Sequence, residues 1–322
     1  MLMKISIRKI TVATLALGAL LLLYLMPASN DIDYELSKEV DGYVYTNSID
    51  VIYLIDSNDY VARTTIRGCD CDIVGTVKNV VQGLIIEGEN SNIIPNGFKA
   101  IIPSGTEVLD VNLENKILTI NFSKELLDIK KEYEEKMIEA IIYSLTSIDG
   151  IDKVIIKVEG EVLTKLPNSN KFLPTILDKD YGINKSYDLI NTSNIDSYTV
   201  YYVSNFNDNK YYVPITRYVN NNKQDKIKVI IDKLATSPIY ETNLMSYLSS
   251  NVNLIDYSLD DKTMSLNFND SILSDSTSDK ILEEVIYTIG LSIIDNFDVE
   301  EVSILVNNEE IYKKSLKTLE IK

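Results

Sequence analysis

Residues 111–128 read VNLENKILTINFSKELLD, and residues 257–275 read YSLDDKTMSLNFNDSILSD. Asp110, Leu113, Lys116, Asn121, Phe122 and Leu127 return as Asp256, Leu259, Lys262, Asn267, Phe268 and Leu273, all at one offset. Both phrases alternate apolar and polar residues, the period of a strand with one buried face. In the first, Leu109, Val111 and Leu113 share a face of one strand, and Leu118, Ile120 and Phe122 share a face of the next. With Glu114-Asn115 as a two-residue loop, Leu113 faces Lys116, Val111 faces Leu118 and Leu109 faces Ile120, so the apolar sets meet on one side. With Asp260-Asp261 as the loop, Tyr257 faces Met264 and Ile255 faces Leu266. The spacing predicts one β-hairpin written twice, a folding signal rather than a chemical one.

The same order of elements surrounds each hairpin. KMIEAIIYSLTSI places Met137, Ile141, Leu145 and Ile148 on one helical stripe, and ILEEVIYTIGLSII does the same with Ile281, Val285 and Ile289. Ser276 to Asp279 has the S-x-x-D pattern of a helix N-terminus. KVIIKVEGE and EVSILVNNEE then supply a closing strand in each copy. Ahead of the hairpins, IDVIYLID with DYVARTTIRG matches SYTVYYVS with KYYVPITRYV, and a helical segment follows each pair. A β-β-α, β-β-α-β pattern in each copy predicts an α+β fold. It is expected as two tandem two-layer sandwiches, each with helices on one face of a small, mainly antiparallel sheet. The expected boundaries are a signal anchor or signal peptide at 1–30, a spacer at 31–46, domains at 47–162 and 197–312, and a tail at 313–322. Residues 163–196, rich in Pro, Asn and Ser, read as a linker in which Phe172, Leu173 and Ile176 suggest docking. The linker leaves open a flexible separation or a fixed two-domain unit.

Lys4, Arg8 and Lys9 precede an uncharged run over residues 10–26, and Asp31, Asp33 and Glu35 follow it. That order predicts a short membrane helix with the remainder of the chain outside the cytoplasm. The reading favours an uncleaved anchor, because no A-x-A site stands near Met26-Pro27-Ala28. The formal net charge of −17 argues against nucleic acid as a partner.

Histidine is absent, which excludes Ser-His-Asp and Cys-His sites and histidine-ligated zinc. No cofactor or metal site is expected. Cys69 and Cys71 are expected to be inert loop thiols, with an intermolecular or redox role as the alternative, since a ring closed across one residue is unfavourable. Glu134, Glu135, Glu283 and Glu284 read as solvated helix faces. Asp110 and Asp256 recur on the polar side of their strands and are the best candidates for a carboxylate hydrolase, the weakest reading.

At this point the chain resembles the GerMN domain family. The resemblance covers residues 47–161 and 197–312 and is most specific at Pro103, Gly105 and Thr106 and at Ile120 to Ser123; YGIN at residues 181–184 is similar in place and wording but carries little weight. It implies a non-enzymatic role in sporulation and germination, a fold like the ring-building motifs of secretion-like assemblies, and partners among envelope proteins of that fold, self included. It also implies a membrane location facing the forespore. Three departures stand out. The lipidated cysteine of well-known members is missing, the second copy lacks the Pro-Gly-Thr element, and Asn269 stands where the first copy has Ser123. Asn121 and Asn267 are expected on an open sheet face available to partners. Tyr201, Tyr202, Tyr211 and Tyr212 are read as strand residues, with a contact surface for protein or for wall sugars as the alternative. The second function class is accordingly a cell-wall glycan (peptidoglycan) binding module.

Overall fold

The computed structural model describes residues 48–220, 223–236, 243–275 and 278–315. The expected span at 10–26, the spacer and most of the tail lie outside them. Among the described residues no helix is long and apolar enough to cross a membrane. In chain order the first copy runs β1 (Ile49–Asp56), β2 (Val61–Arg67), α1 (Ile73–Leu84), β3 (Phe98–Lys99), β4 (Val108–Glu114), β5 (Ile117–Phe122), α2 (Glu134–Leu145), β6 (Lys153–Val158) and β7 (Glu161–Val162). After β8 (Ser186–Asp188), the second copy runs β9 (Ile195–Phe206), β10 (Asn209–Asn220), α3 (Lys226–Ala235), β11 (Leu254–Asp260) and β12 (Thr263–Phe268). It ends with β13 (Leu273–Asp275), β14 (Ser278–Ile281), α4 (Glu283–Ile294), β15 (Glu301–Val306) and β16 (Glu309–Ser315).

Both predicted hairpins form, each two residues out of the expected register. Leu113 pairs with Leu118 and Val111 with Ile120, so the loop is Asn115-Lys116, both at positive φ (51° and 63°). Leu259 pairs with Met264 and Tyr257 with Leu266, with Asp261 in the loop at φ 51°. Asn and Asp tolerate the left-handed region that a tight hairpin loop requires, and Glu114 does not favour it. A shift of two keeps every side chain on its face, so the alternation survives the error. A bulge at Leu109, and another at Ile255, bends each first strand.

The hairpins open two four-stranded sheets of identical order, β4-β5-β6-β7 and β11-β12-β15-β16. The central pair of each, β5 with β6 and β12 with β15, is parallel, because a helix carries the chain back across the sheet. The two prelude hairpins build a third sheet. β3, β1 and β2 lie on one side and β10 and β9 on the other, and β8 runs parallel to β10. α2 and α4 are therefore buried nearly all round while α1 and α3 keep a solvent-facing side, which corrects the two-layer expectation for the second helix of each copy. α2 packs on β1 and β2 on one side and on β6 on the other. Met137, Ile138, Ile141, Ile142, Tyr143 and Leu145 are all buried, so a helix read as amphipathic forms a middle layer.

The helix starts follow local chemistry where a capping residue stands ready. Asp72 accepts a hydrogen bond from Gly75 N (2.8 Å) at the start of α1, and Asp225 accepts from Ile227 N (3.0 Å) at the start of α3. α4 begins only at Glu283, with Leu282 at its N-cap, so the run at 276–279 is not its cap. Residues 276 and 277 of that run lie outside the described residues. Cys69 and Cys71 are paired as a disulfide ahead of α1, contrary to the expectation of free thiols. Their Cα atoms stand 5.3 Å apart, within the span a disulfide bridges.

The described residues form one compact unit, so the connecting stretch fixes the copies rather than separating them. Leu166, Leu173, Leu177 and Ile183 are buried in the first core. Phe172 and Ile176, expected to dock, are exposed. Glu134 is buried as well, and its carboxylate accepts the backbone N–H groups of Asn168 and Ser169. Glu139 accepts from Asn184 N (2.9 Å) and pairs with Lys185 (3.4 Å). The acidic face of α2 thus grips the connector, which corrects its reading as solvated.

Candidate functional site

The residues singled out in the sequence divide between the joint of the two copies and the outer sheets. At the joint, β2 and β10 meet with Arg63 opposite Tyr212. Asn184, from the YGIN phrase, closes the fork beside that pair. Its side-chain amide donates to the carbonyls of Val61 and Pro214 (both 2.8 Å), and its Oδ1 accepts from Val61 N (3.0 Å). An Asn at φ 45° thereby completes the bonding of two strands that its own backbone does not extend.

Tyr201, Tyr202, Tyr211 and Tyr212 are all buried. They serve this joint and form no contact surface for sugar or protein, which corrects the alternative reading. Tyr53 OH meets Tyr201 OH at 2.8 Å, and the Tyr201 hydroxyl donates to the Asp295 carboxylate. Lys179 pairs with the other oxygen of Asp295 (2.6 Å). Burial, reinforced by the Asp295 charge, pushes the Tyr53 phenol up and the Tyr143 and Tyr201 phenols well up. The copies mirror each other here. Tyr53 N donates to Ser144 Oγ (2.8 Å), and Tyr201 N donates to Ser292 Oγ (2.9 Å). Tyr211 donates to Asp56 (2.9 Å), and Tyr212 stacks on Tyr287 with ring centroids 5.2 Å apart.

Asn121 and Asn267 both commit their side-chain oxygens to the fold. Asn121 Oδ1 accepts from Gly160 N (2.8 Å), and Asn267 Oδ1 accepts from Asn308 N (3.0 Å). Each closes the left-handed turn after the parallel strand, Glu159-Gly160 in one copy and Asn307-Asn308 in the other. The recurrence marks a fold requirement. The two departures between copies prove equally structural. Thr106 N bonds to Pro103 O (3.3 Å), and Val252 N bonds to Ser249 O (3.0 Å), so the turn survives without Pro, Gly or Thr. Glu107 N donates to Ser123 Oγ (2.9 Å), and Asn253 N donates to Asn269 Oδ1 (3.0 Å), so Asn replaces Ser without loss of the bond.

What the sequence reading missed is the environment of β11. It is the terminal strand of its sheet, and Ile255, Tyr257 and Leu259 are 50%, 39% and 58% exposed. Tyr257 OH reaches Asp225 Oδ2 (2.8 Å) at the start of α3, and the row of apolar side chains lies along a strand edge with no second partner strand among the described residues. Alternation alone could not reveal this, since it reports a face and not what covers it. Asp110 and Asp256 are exposed and sit on different sheets, so the structure does not bring them together.

This architecture matches known proteins along most of its length. The Germane family, described as "Sporulation and spore germination", matches residues 51–164 and 199–312. The chain is 32% identical over 263 residues to the spore germination protein GerM of Bacillus subtilis (strain 168), covering 80% of this chain and 71% of that one. The solved tandem GerMN domains of the sporulation protein GerM from Bacillus subtilis superpose with a TM-score of 0.73 at 31% identity, covering 81% of this chain and 92% of that one. The chain belongs to the Germane family and carries two tandem GerMN domains.

Proposed function

We propose that the chain acts in sporulation and germination as a non-enzymatic scaffold, held at the cell membrane by residues 10–26 with both GerMN domains outside the cytoplasm. Its partner is an envelope protein with a similar ring-building domain, which adds an edge strand to β11 and helps to build a transenvelope complex between mother cell and forespore. The observation that carries this reading is the exposed row of Ile255, Tyr257 and Leu259 on a strand whose outer edge is unpaired among the described residues. Such an edge offers backbone groups for pairing and apolar side chains for burial in one place. The joint supplies a precedent, because β2 and β10 already link two domains of this type through a shared sheet.

A photo-crosslinking residue at Leu259, introduced in cells forming endospores, tests the reading. The expected product is a specific adduct with another envelope protein of GerMN-like or ring-building fold, lost when Tyr257 is replaced by Lys. Recovery of the chain as monomer alone overturns it. The wall-glycan reading has lost its basis, since the tyrosines that would stack on sugar rings lie inside the protein.

A further inference from the structure

A cavity of about 460 Å³ opens at the joint, beyond the ends of α2 and α4. Two matched ion pairs stand on its wall, Lys116 with Asp152 (3.4 Å) and Lys262 with Asp298. They come from corresponding loops of the two copies. In each, the lysine carbonyl also takes the first backbone N–H groups of the closing strand, at 2.9 and 3.2 Å in one copy and 2.8 and 3.1 Å in the other.

The cavity lining breaks this symmetry at one place. The strand registers set Arg63 opposite Tyr53 in the first prelude hairpin and Pro214 opposite Tyr201 in the second, so Arg63 and Pro214 occupy equivalent positions. The cavity therefore receives one guanidinium where a symmetric duplication would give two or none. Arg63 is 4% exposed, and its Nη1 is buried without a hydrogen-bond partner among the described residues. The buried carboxylate at the joint is already committed, with one Asp295 oxygen to Lys179 and the other to Tyr201. A buried guanidinium donor left unpaired is costly, and a carboxylate is the group that matches its fork.

We infer that this cavity is a binding site for a peptide-like zwitterion, whose terminal carboxylate is received by Arg63. The choice of ligand follows from the charge of the lining, which carries four basic and five acidic side chains. That balance disfavours phosphate, sulfate and polyanions, and it suits a ligand with one negative end and a cationic remainder. Ile148, Leu291 and Phe297 give the wall apolar surface for a short backbone between the two ends. The volume falls within the range of about 300–1,000 Å³ usual for small-ligand sites. The site is distinct from β11, so it stands independently of the scaffold reading.

Calorimetric titration of the full chain with triglycine, and separately with triglycinamide, tests the inference. Triglycinamide keeps the ammonium and the backbone but lacks the carboxylate. Triglycine is expected to bind saturably with one site, and triglycinamide to bind at least about tenfold more weakly, as loss of a charged hydrogen-bonded contact implies. Arg63→Met is expected to abolish the difference between the two peptides, and Arg63→Lys to restore part of it. If Arg63→Met fails to fold, the wild-type comparison of the two peptides still decides. Equal binding of both peptides, no saturable binding of triglycine, or a response to chloride with triglycine inert overturns the assignment.

Discussion

At matched positions of the two hairpins, Leu113 is half-buried and Leu259 is 58% exposed, while Val111 is half-buried and Tyr257 projects toward Asp225. The strands β5 and β12 behind them differ little, with Leu118, Ile120 and Phe122 buried in one and Met264, Leu266 and Phe268 in the other. Duplication has therefore kept the inner strand and let the outer one diverge. In the first copy α1 lies against β4, and Val108, Val111 and Leu113 join the core. In the second, Leu254 alone of the apolar residues of β11 packs on the core. Both outer strands end their sheets, and the contrast lies in side-chain cover: β4 packs against α1, whereas β11 leaves its apolar row exposed.

The largest effect should fall where the copies agree. Phe122 and Phe268 are both fully buried at corresponding positions. Phe122→Ala and Phe268→Ala should each cost about 3–5 kcal/mol, as truncation of a buried ring does. Because the third sheet joins the copies, urea unfolding followed by circular dichroism should shift as one transition for either variant. Two separate steps, with only one displaced by each substitution, would break the view of a fused pair.

Asn184 supplies the next test, because it belongs to neither copy. Asn184→Gly keeps the left-handed backbone and removes three hydrogen bonds across the β2–β10 fork. At about 1 kcal/mol for each bond, the expected loss is about 3 kcal/mol in the same unfolding experiment. A loss below about 0.5 kcal/mol would mean that the fork is held by its tyrosines and not by the connector.

The outer strands give a smaller and directional effect. Leu113→Ser should cost about 1–2 kcal/mol, because it removes apolar surface that α1 and the core cover. Leu259→Ser should stay within about 0.5 kcal/mol, as a surface change does, while weakening the association proposed for β11. Equal stability losses at the two sites would remove the contrast between a covered strand and an exposed one.

The recurrence of a phrase makes the hairpins, the helices and the tandem order legible in the sequence itself. Alternation has a period of two, so it located each strand face even though both loops were placed one residue early. It could not report coverage. α2 shows a helical stripe in sequence, yet both of its faces are covered, because the second sheet comes from residues about eighty positions upstream. The tyrosine-rich β9 and β10 read as a contact surface because nothing local says that β2 lies beside β10 or that Tyr53 meets Tyr201. Asn121 and Asn267 were rightly marked as recurrent, but their partners lie 39 and 41 residues away in turns whose need for a side-chain acceptor appears only in three dimensions. Arg63 went unnoticed altogether, since its distinction is a missing partner.

The smallest effect concerns Glu139, and here the comparison becomes a titration. Glu139 lies five residues before Ser144, as Tyr287 lies five before Ser292, and those serines make the same bond in both copies. Burial raises the Glu139 carboxyl above its ordinary value, and the nearby Lys185 ammonium offsets this only in part. The folded state therefore holds that proton more tightly than the unfolded chain does. Its contribution grows more favourable as pH falls through the folded pKa toward the unfolded one, and is lost as pH rises through the folded pKa. Burial lifts the Tyr287 phenol to about 12, so the second copy adds no titration in this window. The stability of the wild type relative to Glu139→Gln should consequently improve between pH 7 and pH 5, while the matched difference for Tyr287→Phe stays flat. Thermal unfolding of the three proteins at both pH values measures it. A wild-type advantage that shrinks on acidification would show that the Lys185 pair, and not burial, governs this carboxyl, and the grip of α2 on the connector would then be an ion pair strongest near neutrality.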